Sequence, residues 1–214
     1  MKVTKIVLGP IETNCYVVLE EQSGLGAVID PALCTDELLA AIENSGMTKL
    51  QFIILTHGHS DHILGVYDLK QKYPDAIVVI GDDDEICLMN SNCSLAADQG
   101  FEQHPMHADK TVKDGDTFYF GPIEVKAVST PGHTPGSICY LFDNIMFSGD
   151  TLFCRTCGRT DLFRGNLADM HNSIQKLGKL NGDYIVCPGH GISTTLDAER
   201  KTNRFMRKIE WSLL

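Results

Sequence analysis

The hydrophobic pattern divides the chain into short apolar runs separated by polar turns that contain glycine or proline. Runs of this kind are typical of buried strands. They predict strands at Val3–Leu8, Asn14–Leu19, Gly26–Ile29, Leu50–Leu55, Ala76–Ile80, Thr117–Phe120, Ile123–Ser129, Ser137–Phe142, Asn144–Phe147 and Asp183–Cys187.

Apolar residues at helical spacing lie between these strands. A helix should begin after Thr35, whose hydroxyl can cap it, and end at Gly46. Further helices are predicted over Ile63–Tyr73, Leu167–Leu177 and Leu196–Ile209, and short helices of a lid or insertion over Asp82–His107. Strands with interspersed helices in both halves predict an α/β fold of two face-to-face sheets with helices outside. No linker interrupts the pattern, so residues 1–214 are expected to form one domain.

Composition and charge exclude several classes of protein. The 214 residues have an ordinary globular composition and are enough for a sizeable core. A formal net charge of -10 disfavours nucleic-acid binding, because an acidic surface repels phosphate. The chain has no apolar run of membrane length and no signal peptide at its start. We therefore expect a cytoplasmic protein without a membrane partner.

Eight cysteines are expected to be free thiols, since nothing indicates secretion. Cys15, Cys139 and Cys187 lie in apolar strand patterns, where cysteine is usually a small core residue. Cys154 and Cys157 have the spacing of a redox or zinc pair, but no second pair completes a four-thiolate site. They are otherwise two loop thiols near a pocket.

The segment 56–62 carries the strongest chemical signal. It reads Thr-His-Gly-His-Ser-Asp-His, directly after the apolar run Leu50–Leu55 and directly before a predicted helix. His57, His59, Asp61 and His62 can converge from a tight turn, which Gly58 makes easier. Imidazole and carboxylate together suit zinc, iron or manganese better than calcium or magnesium.

Three further candidate ligands each follow an apolar strand and are flanked by glycine or proline. They are His133 after Ile123–Ser129, Asp150 after Ile145–Phe147, and His190 after Tyr184–Cys187. Loops at sheet edges can be directed to one cleft. Five histidines and two aspartates exceed the needs of one ion, so we expect two divalent metal ions, with zinc favoured and iron or manganese possible alternatives. Two ions roughly 3.5–4 Å apart form the clamp that many hydrolases use.

Taken in order, these motifs resemble those of the metallo-β-lactamase-fold superfamily, from about Val3 to about Phe205. The resemblance implies an αββα sandwich of two mixed sheets flanked by helices. It also implies a first metal on His57, His59 and His133, and a second on Asp61, His62 and His190, with Asp150 bridging. Asp61 and His190 are in addition the candidate catalytic residues.

Within the superfamily, residues 149–153 and 158–162 are similar to the glyoxalase II (hydroxyacylglutathione hydrolase) branch. That branch implies hydrolysis of a thioester of a small thiol by a hydroxide that the metals supply. Since only about 24 residues follow His190, we do not expect the C-terminal helical domain of glyoxalase II, and Arg159 and Asp161 stand where that branch has a glutathione-binding lysine and tyrosine. The chain therefore resembles the short, single-domain glyoxalase II-like hydrolases. Arg159 is a candidate for binding a substrate carboxylate with its planar fork, or else a structural partner of Asp161.

A second branch remains open. The loop Cys157–Asp161 also resembles that of persulfide dioxygenases, which use one iron on two histidines and an aspartate; here these would be His57, His133 and Asp150. Asp30, which ends a strand, either orients a ligand histidine or is a turn residue. The basic run in the last predicted helix is either its solvated face or a contact for an anionic substrate; it comprises Arg200, Lys201, Arg204, Arg207 and Lys208.

Overall fold

The computed structural model describes residues 1–207, in which two six-stranded mixed sheets lie between two layers of helices. The first sheet has the order β1–β6 and is antiparallel across its first three strands and parallel from β3 to β6. Its strands are β1 Lys2–Leu8, β2 Thr13–Glu20, β3 Leu25–Ile29, β4 Lys49–Ile54, β5 Ile77–Gly81 and β6 Lys110–Val112.

The second sheet has the order β14-β13-β10-β9-β8-β7, and only the pair β10 and β13 is parallel. A separate small hairpin pairs β11 with β12. The strands of this half are β7 Thr117–Phe120, β8 Ile123–Ser129, β9 Ile138–Phe142, β10 Ile145–Gly149, β11 Leu152–Phe153, β12 Thr156–Cys157, β13 Ile185–Pro188 and β14 Thr194–Thr195.

Three apolar clusters account for the layers. The central cluster joins alternate residues of both sheets, among them Tyr16, Phe52, Phe120, Tyr140 and Phe147. Alternate side chains of a strand point to opposite faces, so the other face of each sheet needs its own cover. Helices supply it on both sides, and the αββα sandwich predicted from the sequence is confirmed. The helices are α1 Asp36–Asn44, α2 Ser60–Ile63, α3 Val66–Lys72, α4 Glu85–Met89, α5 Ala96–Gln99, α6 Leu167–Gly178 and α7 Leu196–Thr202.

The prediction of one continuous helix over Ile63–Tyr73 is wrong, because the chain forms two helices there, α2 and α3, which are separated at Gly65. The Gly65 amide donates to the Pro31 carbonyl at 2.9 Å. A Cβ at position 65 would lie 2.6 Å from that carbonyl oxygen and from the Leu33 carbonyl carbon. Residues 31–34 therefore press on the chain at this point, and only glycine fits there.

The last helix ends at Thr202 rather than Ile209; residues 208–214, including the predicted final turn and Lys208, lie outside the described part. Asn203 is extended, and its side chain donates to the Thr156 carbonyl at 3.0 Å, which turns the chain so that Phe205 is buried. The expectation that the basic residues of the last helix form its solvated face is wrong for Arg200. Its guanidinium donates to the carbonyls of Gly178, Leu180 and Gly182 and so anchors α7 to the end of α6.

The short strands β6, β11, β12 and β14 were not predicted, because two or three residues carry no readable period. All eight cysteines are free thiols. Within residues 1–207, no helix is long and apolar enough to cross a membrane.

Candidate metal centre

Four segments that follow strands carry the predicted ligands, and Asp61 and His62 lie on helix α2, directly after the loop 55–59. The segment 55–59 follows β4, His133 follows β8, Asp150 follows β10 and His190 follows β13. Two backbone bonds join these loops: the Ile138 amide donates to the Thr56 carbonyl at 2.8 Å, and the Gly189 amide donates to the Gly149 carbonyl at 2.9 Å. All seven predicted residues consequently face one site at one edge of the sandwich.

One group consists of His57, His59 and His133, with one ligand atom from each within 4.8 Å of the others. All three side chains are buried. The His59 Nδ1 and His133 Nε2 atoms face each other at 2.8 Å. The geometry matches the first ligand set that the family resemblance implies.

The second group consists of Asp61, His62 and His190. Asp61 Oδ2 lies 3.4 Å from His62 Nε2 and 3.3 Å from His190 Nε2. Thr13 donates its hydroxyl to the same carboxylate oxygen at 3.1 Å. Asp61 and His190 are partly exposed, whereas His62 is fully buried, so the second group borders the solvent side of the site.

Asp150 lies between the two groups. Its Oδ1 is 3.6 Å from His62 Nε2, and its Oδ2 is 3.5 Å from both His133 Nε2 and His190 Nε2. One carboxylate thus faces histidines of both groups. This is the position that a bridging ligand requires.

The unpaired atoms of the site fit metal ions. Buried polar groups in proteins are almost always hydrogen-bonded, and an unsatisfied one is costly. Three buried side-chain atoms of the two groups have no hydrogen-bond partner, namely His57 Nε2, His62 Nε2 and Asp150 Oδ1. His59 faces the first group through Nδ1, and its opposite ring nitrogen, Nε2, is also buried without a partner. Nitrogen and carboxylate oxygen atoms in this ratio are ligands for zinc, iron or manganese.

The outward ring nitrogens of several histidines are held by the surrounding fold. His62 Nδ1 lies 2.9 Å from Asp30 Oδ2, His133 Nδ1 lies 2.8 Å from the Arg159 carbonyl, and His190 Nδ1 lies 3.3 Å from the Glu12 carbonyl. A ring nitrogen that donates in this way leaves the other nitrogen as a lone-pair ligand. Asp30 thus lies where it could orient His62, the first of the two alternatives considered for it.

Asp30 also stabilises the turn that carries the ligands. It is buried, and it accepts bonds from the Thr56 amide and hydroxyl, both at 2.7 Å. Its own backbone has a φ of 51°, which is uncommon outside glycine and better tolerated by aspartate and asparagine. One carboxylate therefore connects the end of β3 to the first residue after Leu55.

Burial dominates the electrostatics of the first group. It lowers the pKa of His57 well below the usual value, and the neighbouring histidines add to that effect. Burial also lowers the pKa of His59 to about 3. Both imidazoles are therefore neutral at physiological pH, with lone pairs available for a metal ion.

The second group behaves in the opposite way. Burial lowers the pKa of His62, but Asp61, Asp30 and Asp150 outweigh it and raise that pKa to about 9. The same two site carboxylates, Asp150 and Asp61, overcome burial at His190 and raise its pKa to about 10. These carboxylates thus stabilise positive charge where the second metal group lies, and a divalent cation would replace the protons.

Asp84 was missed by the sequence reasoning. Its buried carboxylate accepts bonds from the Gly58 amide at 2.9 Å, the Thr134 hydroxyl at 2.6 Å and the Gly136 amide at 3.0 Å. Burial raises its pKa. Asp84 thereby connects the His57–His59 turn to the His133 loop. Its signal was the triplet of aspartates directly after the strand that ends at Gly81, the same placement that identified the other candidates.

Arg159 pairs with Asp161 through two bonds of 2.7 and 2.8 Å, and both side chains are exposed. This is the structural pairing considered for Arg159, while its backbone carbonyl holds His133. An exposed pair of this kind contributes little stability. The guanidinium remains at the rim of the site.

A cleft of about 560 Å³ opens over the centre. Its walls combine apolar side chains with the partly exposed metal-group residues, and Arg159 is the only lysine or arginine among the described residues that line it. The apolar lining residues are Ile11, Leu95, Phe153 and Leu162.

Comparison with known proteins agrees with the fold and the site. Residues 8–190 match the family model described as the metallo-beta-lactamase superfamily. The crystal structure of BLEG-1 B3 metallo-beta-lactamase is 30% identical, with a TM-score of 0.88 over 96% of this chain and 99% of that one. TTHA1623 in a di-iron-bound form is 30% identical, with a TM-score of 0.81 over 95% and 100%. ETHE1 from Myxococcus xanthus is 26% identical, with a TM-score of 0.80 over 100% and 92%.

The chain belongs to the metallo-β-lactamase superfamily. Most members of that superfamily are metal-dependent hydrolases, and some are oxygenases.

Replacing Asp30 by asparagine is expected to weaken binding at the second metal group by roughly 10- to 100-fold, the usual effect of losing a partner of a ligand histidine. Asparagine tolerates the left-handed backbone but leaves His62 without its anionic acceptor. Chelator competition measures the affinity. Asp68→Asn, on α3, is the matched control, and unchanged affinity in Asp30→Asn would contradict the orienting function.

Proposed function

We propose that the protein binds two divalent transition-metal ions, with zinc favoured, and hydrolyses a thioester of a small thiol to a carboxylic acid and the free thiol. The observation that carries the proposal is the pair of ligand groups with Asp150 between them. Five of the seven residues are histidines, and three buried atoms of the site, His57 Nε2, His62 Nε2 and Asp150 Oδ1, lack hydrogen bonds.

When bound, such ions lower the pKa of a coordinated water from about 15.7 to about 7 and polarise a carbonyl oxygen. His57, His59 and His133 would hold one ion, Asp61, His62 and His190 the other, and Asp150 both. Asp61 and His190 are the residues of these sets that border both the cleft and solvent. Asp61, whose Oδ2 accepts a bond from the Thr13 hydroxyl, is thus placed to orient an incoming water.

The cleft supports a small, partly apolar acyl group. Ile11, Leu95 and Phe153 exclude water from one side, and they offer dispersion contacts to a short acyl chain. Arg159 is the only lysine or arginine of the described lining. A thiol that carries several carboxylates would therefore find few cationic side chains to bind them. A thioester of a small thiol thus fits the cleft better than a thioester of glutathione, which needs more contacts than this lining offers.

A mononuclear-iron persulfide dioxygenase is the second candidate. His57, His133 and Asp150 are brought into one site, and a relative with a di-iron centre shows that iron can occupy this fold. The second group, Asp61, His62 and His190, supports the hydrolase, because a single ion would leave those three residues without a function.

Elemental analysis of protein purified without chelators, followed by two assays, tests the proposal. We expect about two equivalents of zinc per chain and release of free thiol from a lactoyl thioester. A panel of thioesters of glutathione, cysteine and coenzyme A then identifies the thiol. One equivalent of iron, with oxygen consumption on a persulfide and no thioester cleavage, would replace the hydrolase by the dioxygenase.

A further inference from the structure

Two cysteines outside the metal groups lie side by side next to the ligand turn. Cys87 is on α4, and Cys93 follows the turn that begins at Asn90, whose carbonyl accepts the Cys93 amide at 2.9 Å. Their Sγ atoms are 3.0 Å apart, and both are free thiols. A disulfide bond is about 2.05 Å long, so a shift of roughly 1 Å would join them.

A guanidinium lies over this pair. Arg164 Nη1 is 3.3 Å from Cys93 Sγ and 4.0 Å from Cys87 Sγ, and Nη2 donates to the Asp83 carbonyl at 3.0 Å. Arg164 has a φ of 67°, a left-handed conformation that is uncommon for a residue with a Cβ. The backbone is therefore held in an unfavourable region while its cation faces two thiols. A neighbouring cation stabilises a thiolate.

The two thiols differ in environment. Cys93 is 9% exposed and Cys87 is 2% exposed. Burial, with the nearby Asp84 carboxylate adding to it, raises the pKa of the Cys87 thiol. Cys93 is thus nearer to both the guanidinium and the solvent, and Cys87 is the more deeply buried thiol.

We propose that Cys87 and Cys93 form a redox-active dithiol that a peroxide oxidises to an intramolecular disulfide and a thiol reductant restores. The Cys93 thiolate attacks one peroxide oxygen; with one proton it becomes a sulfenic acid and releases water. The Cys87 sulfur then displaces the hydroxyl of that sulfenic acid, and the thiol proton leaves with it as a second water. Two thiols lose two electrons and two protons, and the peroxide is reduced to two waters.

The pair contacts the metal-ligand turn directly. A Cβ placed on Gly58 would lie 2.6 Å from Cys87 Cβ and 2.9 Å from its Sγ, so the Gly58 backbone packs against this side chain. Gly58 separates His57 from His59, and its amide is held by Asp84, the residue that precedes α4. Drawing the Cys87 sulfur toward Cys93 therefore loosens the support of the first ligand group. This coupling, unlike the thiol chemistry, rests on the proposed metal site.

Peptide mapping tests the dithiol. Trypsin should release residues 73–110 as one peptide that contains Cys87 and Cys93 and no other cysteine. Reduced holoprotein is treated with one equivalent of hydrogen peroxide, denatured, alkylated and digested. We expect the mass of this peptide to fall by two hydrogens and both of its cysteines to escape alkylation. This change should precede the oxidation of Cys34 or Cys154 by peroxide, and dithiothreitol should reverse it. Sulfinic acid without linkage, or earlier loss of the other thiols, would overturn the proposal.

Cysteine and arginine variants test which residues the disulfide linkage requires. Cys93→Ser and Cys87→Ser should each abolish the linkage, whereas Cys34→Ser should retain it. Arg164→Gln should slow linkage by roughly threefold to tenfold, because it removes the cation that lies 3.3 Å from Cys93 Sγ. Arg155→Gln, on the β11–β12 turn, is its control. Equal rates in both arginine variants would overturn the function assigned to Arg164.

Metal loss to a chelator tests the coupling on the same samples. We expect the oxidised protein to lose its metal about tenfold faster than the reduced one. Linkage with unchanged metal loss would overturn the coupling. A protein that holds no metal at all would instead refute the proposed function, while the peptide map would still decide the dithiol.

Discussion

Replacing Asp150 by asparagine is expected to reduce thioester hydrolysis by on the order of 10³-fold and metal content to one equivalent or less. Metal ions contribute several kcal/mol of charge stabilisation to such reactions, and about 1.4 kcal/mol corresponds to a factor of ten in rate. Asp150 is the carboxylate that faces His62, His133 and His190 together. Asparagine keeps its shape but removes the negative charge on which both ions depend.

Elemental analysis and steady-state hydrolysis on one preparation measure both effects. Asp75→Asn, an exposed aspartate beside Pro74, is the matched control and should leave both unchanged. Far-ultraviolet circular dichroism verifies that the variant is folded. Two retained equivalents with full activity in Asp150→Asn would exclude a shared carboxylate.

Removing the metal ions is expected to lower the midpoint of thermal unfolding by about 8–16 °C. A ligand present at about 1,000 times its dissociation constant stabilises the native state by about 4 kcal/mol, and each kcal/mol shifts the midpoint by about 2–4 °C in a chain of this size. Without metal the native state is less stable, because His57 Nε2, His62 Nε2 and Asp150 Oδ1 are buried without hydrogen bonds.

Calorimetry before and after treatment with a chelator provides the measurement. Adding zinc, iron or manganese separately should restore the midpoint, and the most stabilising ion identifies the preferred metal. Asp150→Asn should show a much smaller shift, because its site holds fewer ions from the outset. Identical midpoints with and without chelator would show that these residues do not bind metal in the native state.

Much of the fold could be predicted from the local pattern of hydrophobic and polar residues. Strands such as β7 and β8 were predicted with their observed ends, because their alternating apolar residues lie between turn residues such as Asp116, Gly121 and Pro122. The points at which a predicted helix is interrupted were harder to predict. The break at Gly65 depends on residues 31–34, which are distant along the chain and exert their steric effect only after folding.

The candidate ligands were readable for a related reason. Each lies in a segment that follows an apolar strand, and strands of a packed sheet place their ends at common edges. By contrast, the partners of those ligands were harder to assign, although Asp30 and Asp84 also follow strands, because nothing local shows which ligand each one contacts. Asp30, Asp84 and the Arg159 carbonyl reach the site only through contacts between segments 26 or more residues apart.

By itself, then, the sequence determined the layered α/β fold and the identity of seven converging side chains, because residue type and strand-end position are local properties. The family resemblance implied how those seven divide around Asp150, whereas only the tertiary structure decided their distances of a few ångströms, because four separate segments of the chain supply them. The tertiary structure also decided that Arg159 pairs with Asp161 and that Cys87 and Cys93 meet beside Gly58. Hydrogen bonds and close contacts of this kind exist only once the sheets have packed.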